Sequence, residues 1–224
     1  MADERSQGVV LRTRPMTETS LIVNWLTPDL GRIATVAKGA RRSKSPFRGK
    51  LDFGYEGAFS FQRSRRSDLH TLREISLSET HPDLRRDLDV LEQAAYFAAL
   101  IEQSTETETP IPEIYTLFQS VLTPLERHPP EPATVLGFEI KLLECLGFSP
   151  EWEDARLTDA SREMALGFER ESWDEIFRLR PATHQTSELR HFLQGFLLYH
   201  LDRVPALRGR ALKCESPQSS RPAS

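Results

Sequence analysis

Between residues 7 and 80 apolar and polar positions alternate in short runs bounded by turn formers, and from His81 onward the period lengthens toward that of a helix. The alternation predicts strands near residues 8–14, 20–26, 32–37, 57–62 and 71–77. Turns are marked by Arg14-Pro15, by Thr27-Pro28-Asp29 with Gly31, and by Gly39, Ser45-Pro46 and Gly54. Five short strands in so little chain fit a small barrel better than a sandwich. The second and third are joined by Pro-Asp-Leu-Gly, which predicts a hairpin with Gly31 at positive φ. In the second half Leu84, Leu88, Leu91, Ala95, Ala98 and Ile101 share one helical face, with Asp83 as the expected N-cap. Further helices are predicted over 112–127, over 133–146 ending at Gly147, and over 187–204 stopped by Pro205. Residues 150–186 read as an irregular connection with one short helix near 173–179. The apolar stripes, including Phe138, Leu142 and Leu146 and then Phe192, Phe196 and Leu197, read as core. The fold class is therefore α+β: a five-stranded barrel over 1–80, an all-helical domain over 81–212, and a Ser- and Pro-rich tail over 213–224 with nothing to bury, expected to be disordered.

Composition narrows the classes. At 224 residues and 38% hydrophobic the chain can bury a core. Its two cysteines, Cys145 and Cys214, supply neither a disulfide framework nor a four-thiolate zinc site, which points to a reducing cytosol. The N-terminal residues form no apolar leader, and each apolar run is broken well short of the roughly 18 residues of a membrane span, so a cytoplasmic location is expected.

Net charge is −4, but it is unevenly distributed. Residues 1–80 carry 14 basic and 9 acidic side chains, net +5, which leaves −9 for the remainder. Seven of the positive charges, Arg32, Lys38, Arg41, Arg42, Lys44, Arg48 and Lys50, fall between Leu30 and Leu51 with no acid among them. Arg14, Arg63, Arg65 and Arg66 add charge near strand ends. A barrel bearing such a loop suits the phosphates of a single strand, and Gly39 and Gly49 allow close backbone approach. Neutralising about four to six phosphates predicts a log K against log salt slope near −3 to −4.

The run Gly8-Val-Val-Leu-Arg-Thr-Arg-Pro-Met-Thr-Glu-Thr-Ser20, followed by residues 30–45 and Gly49-Lys-Leu51, closely resembles the N-terminal domain of the RecO family of recombination mediators. The resemblance implies an oligonucleotide/oligosaccharide-binding (OB) barrel that binds single- and double-stranded DNA and helps complementary strands anneal. It implies RecR and the acidic tail of single-stranded DNA-binding protein as partners, loading of RecA onto coated single strands, and association with the nucleoid. The residues it carries over are Lys38, Arg41, Arg42, Lys44 and Arg48, flanked by Arg14 and Arg32. Lys50, Arg65 and Arg66 complete the DNA-binding candidates.

Residues 136–148 resemble the family segment leading to a zinc-binding insertion, but no Cys-x-x-Cys pair follows Pro150, so no metal is expected. Leu136 and Gly137 stand before Phe138-Glu139, where relatives place arginines for the acidic tail. Lys141 and Arg127 are the nearest positive residues, and the contact residues stay unassigned. No phosphate-loop, nucleophile-elbow or zinc-protease motif occurs, and His184, Glu188 and His191 share a helical face without a further ligand. A non-enzymatic protein without a cofactor is expected. An OB-type RNA-binding protein and a protein-interaction adaptor are the alternative readings.

Overall fold

The computed structural model describes residues 3–153 and 155–213. Five strands, β1 Glu4–Pro15, β2 Leu21–Thr27, β3 Gly31–Ala37, β4 Glu56–Gln62 and β5 Leu69–Glu79, close into a barrel in the order β1-β2-β3-β5-β4. All neighbours are antiparallel except β3 and β5. Each of the five predicted strands is present: β2 is shifted by one residue, and the others are longer by one to several residues. Inward positions Val10, Val23, Trp25, Ile33, Phe59, Phe61, Leu72 and Ile75 fill the barrel. Trp25 stacks on Phe59 at 4.3 Å and donates its indole N–H to Thr35 Oγ1 at 2.8 Å, so its buried polar atom is satisfied. Gly31 has φ of +67°, as the hairpin requires, and a Cβ there would meet Thr109 O at 2.3 Å.

The helices are α1 Leu88–Ser104, α2 Pro112–Arg127, α3 Pro132–Cys145, α4 Asp159–Arg170, α5 Trp173–Ile176, α6 Thr183–Leu201 and α7 Arg208–Ala211. Three expectations need correction. The first helix does not begin at Asp83: residues Pro82–Arg85 form a 3-10 turn, and Asp87 caps α1 by accepting from Asp89 N at 2.8 Å. Residues 150–186 are not mainly irregular, because α4 runs through them, capped by Thr158 and burying Ser161, Ala165 and Phe168 at helical spacing. The last long helix starts and ends earlier than predicted, and Asp202 in the left-handed region closes it ahead of Pro205. The tail from residue 214 lies outside the described residues.

Two compact units form, and neither is one stretch of chain. Among the described residues, 3–82 group with 98–123, and 83–97 group with those from 124 to 213. In the barrel unit, the end of α1 and the loop after it lie along the outside of β1–β3. Glu102 accepts from Asn24 Nδ2 at 2.8 Å and pairs with Arg12 at 3.3 Å, while Glu108 N donates to Arg32 O at 2.9 Å. In the helical unit α3 is the central element, buried on nearly all sides from Ala133 to Leu143. Glu139 sits in its middle, fully buried. Arg208 binds it through two N–H donors at 2.6 and 2.8 Å, and the Tyr96 hydroxyl donates at 2.6 Å. Phe97 stacks on Phe138 at 4.1 Å beside this pair. Among residues expected in the core, Leu91, Ala95, Leu146, Phe192 and Phe196 are only half-buried, and Leu88 is exposed.

Candidate nucleic-acid interface

The segment from Lys38 to Tyr55 closes one end of the barrel as an ordered plug. Ala40 and Phe47 reach down into the barrel core, with Leu51 and Tyr55 packed beside them. Successive i to i+3 turns hold its backbone: Arg42 N to Gly39 O, Ser45 N to Arg42 O, Arg48 N to Ser45 O and Lys50 N to Phe47 O, at 3.0–3.2 Å. Gly39 and Gly49 take positive φ in these turns. The β1–β2 turn braces the plug, since Arg41 N donates to Thr19 O at 3.0 Å and Gly39 N to Ser20 Oγ at 3.4 Å. With the apolar side chains turned in, Lys38, Arg41, Arg42, Lys44 and Arg48 are exposed and Lys50 is half-exposed.

What distinguishes these cations is the lack of counter-charge. Among the described residues, none of the six forms an ion pair, and neither does exposed Arg14 at the end of β1. The other barrel arginines differ. Arg12 pairs with Glu102, and Arg63 pairs with Glu4 at 2.9 Å and Glu108 at 3.0 Å, hydrogen bonds that push its guanidinium up. Cations held apart from carboxylates on an ordered scaffold are presented to an external anion without a competing internal one.

Three sequence candidates do not join this surface. Arg32 is half-buried and donates to Thr105 Oγ1 at 2.7 Å and to Thr105 O. Burial pushes it down despite Glu102 and Glu106 nearby. Its guanidinium ties β3 to the loop after α1. Arg65 and Arg66 are exposed in the β4–β5 turn, and strand alternation places that turn at the opposite end of the barrel from the plug. There they share the end with Glu4, Asp68 and Glu108. Charge counting along the sequence pools the two ends because it carries no topology.

The rings of Trp25, Phe47, Phe59 and Phe61 are buried, while Phe53 and Tyr55 at the end of the plug are half-buried. The fully exposed side chains of the plug are mainly point charges and N–H forks, which suit phosphate.

A model of the recombination protein O N-terminal domain matches residues 1–81, and one of its C-terminal domain matches residues 85–161. The chain belongs to the RecO family. The DNA repair protein RecO of Rhodopirellula baltica is 35% identical over 143 residues, covering 64% of this chain and 53% of the relative. That of Bacillus pumilus is 32% identical over 147 residues, covering 66% and 57%, and that of Idiomarina loihiensis is 34% identical over 146, covering 65% and 62%. This RecO chain thus spans little more than half the length of the curated relatives it matches.

In the RecO helical unit, Phe138 and Glu139 are interior. Lys141 donates to Glu169 O at 3.0 Å and lies over the Trp173 ring, and burial pushes its ammonium down. Arg127 lines a cavity of about 630 Å³ beside Asp83, Asp87, Glu126 and Glu131. His184, Glu188 and His191 do not form a metal site: Glu188 accepts from Thr158 N at 2.9 Å and Thr158 Oγ1 at 2.8 Å, capping α4. Among the described residues no His, Cys, Asp and Glu group is arranged to hold a metal, and no helix is long and apolar enough to cross a membrane.

Proposed function

We propose that this RecO protein is a non-enzymatic recombination mediator whose plug holds the sugar–phosphate backbone of DNA, single- or double-stranded, and promotes annealing of complementary strands. One observation carries the reading: Lys38, Arg41, Arg42, Lys44 and Arg48 stand exposed and unpaired on an ordered plug at one end of an OB barrel. Annealing requires no covalent step. Cations screen the repulsion between two strands, and contacts to phosphate leave base edges free to pair. As in the family, RecR and the acidic tail of single-stranded DNA-binding protein are the proposed partners, and loading of RecA onto coated strands is the proposed outcome.

The test is fluorescence anisotropy of labelled oligo-dT across a salt series, with Arg41→Ala/Arg42→Ala beside the parent. Two lost phosphate contacts should flatten the slope by about 1.4, at roughly 0.7 per phosphate for a single strand. An unchanged affinity and slope would remove the plug from DNA binding. RNA of matching sequence is the control, since only RNA presents a 2′-hydroxyl, and a marked preference for it would move the reading to an RNA-binding barrel.

A further inference from the structure

An OB barrel ordinarily lays its oligonucleotide across the outer face of strands 2 and 3. Here that face is occupied. Asn24 and Arg32 are bound to Glu102 and Thr105, and the outward side chains Ile22, Leu26 and Val36 are buried. A strand held on the plug needs another route.

The opposite side of the barrel supplies one. A trough of about 450 Å³ runs over the outer face of β1, β4 and β5 and starts at the plug, where Pro46, Phe47 and Lys50 wall it. Its floor is made of small outward side chains: Ala58 faces Ser76 across β4 and β5, and Ser60 lies between Arg5 on β1 and Glu74 on β5. The small floor leaves a channel, and cations rim it. Arg5 is exposed and forms no ion pair among the described residues, while Arg73, also exposed, donates to Gln62 Oε1 at 2.5 Å and meets Asp3 at 3.8 Å. Glu74 is the one carboxylate in the lining. Serine hydroxyls and cationic rims suit phosphate, and the only rings in the lining, Phe47 and Phe59, are buried.

We infer that single-stranded DNA leaves the plug past Lys50 and continues along this trough, its backbone between Arg5 and Arg73 and its bases turned outward. The inference rests on the plug being a phosphate-binding surface. It assigns the barrel a binding face that is the reverse of the usual one, with the bases of the held strand open to a complementary strand.

The experiment uses the full chain, two oligo-dT lengths and two variants. Lengths of about 6 and about 16 nucleotides span the range an OB barrel covers. Arg5→Ala/Ser76→Glu removes one cation and adds a carboxylate at exposed positions. It should weaken the longer oligomer about tenfold at low salt, the effect of losing one charged contact, and leave the shorter one within about twofold. Arg41→Ala/Arg42→Ala should weaken both. In parallel, photo-crosslinking of the unmodified protein to 4-thiothymidine oligomers, mapped by mass spectrometry, should label peptides from the plug and from 56–79, not those from 21–37. If the trough variant binds the longer oligomer as the parent does, or crosslinks fall on 21–37, the trough is wrong while the plug reading stands. If the plug variant itself binds normally, the functional reading fails first.

Discussion

Single residues decide most where a charge is buried. Glu139 has no exposed surface, and its two oxygens are satisfied by Arg208 and Tyr96. Replacing Arg208 with Ala leaves a carboxylate alone in the helical core, so urea unfolding should show a loss of about 3–5 kcal/mol, whereas Glu139→Leu with Arg208→Met should lose far less. Tyr96 gives the same site a pH signature. Burial first, and then the neighbouring Glu139 carboxylate, pushes its phenol well above the usual range. A phenol raised in the folded state keeps its stabilising contribution below its unfolded pKa of about 10 and loses it as pH rises beyond that value. The gap between parent and Tyr96→Phe should therefore hold from pH 7 to about pH 10 and narrow above it, and a gap that stays constant at pH 11 would detach Tyr96 from the alkaline loss. None of this was legible beforehand. Glu139 reads as a polar position in an apolar run, and Arg208 lies 69 residues away with no local pattern pointing to it.

At the scale of elements, the sequence declared strands and charges well and connections poorly. Strands are set by alternation against a buried face, a local signal, so all five were legible along with the turn at Gly31. In sequence the plug reads as a loop with charges because Ala40 and Phe47 follow no period of 2 or 3.6, yet those two side chains turn a charge run into a surface. Phe47→Ala removes the larger anchor and should cost about 3–5 kcal/mol of barrel stability by opening the core. It should also weaken oligo-dT binding, since the turns carrying Arg42 and Arg48 lose their support. Arg48→Ala should weaken binding with the melting temperature unchanged. Equal melting temperatures for the two variants would mean that the plug is not anchored through Phe47. Helix α4 leaves little local signal for a related reason: its buried face is only Ser161, Ala165 and Phe168, and Glu188, which caps it with Thr158, comes from α6. Thr158→Ala should cost about 1 kcal/mol.

For the whole molecule, the period change at His81 suggests a cut between two modules, while the contacts group residues 98–123 with the barrel. Long-range pairing leaves no trace in local pattern, so this part of the architecture could not be read from the sequence. Its energetic weight is testable. In the barrel unit His70 Nε2 lies 2.8 Å from Glu108, Glu56 accepts from Gln119 at 2.6 Å, and Asn24 and Arg32 depend on residues 102–105. A fragment ending at residue 81 loses all of these hydrogen bonds, each worth about 0.5–1.5 kcal/mol net. That fragment should therefore melt well below a fragment of residues 1–123 and be cut faster by protease, even though both retain every strand and the entire plug. Where the short fragment is still folded it should bind oligo-dT, because the cations and their anchors lie within it. Equal melting temperatures would show that residues 98–123 lie against the barrel without supporting it. A lower melting temperature with DNA binding retained would separate what folds the barrel from what charges it.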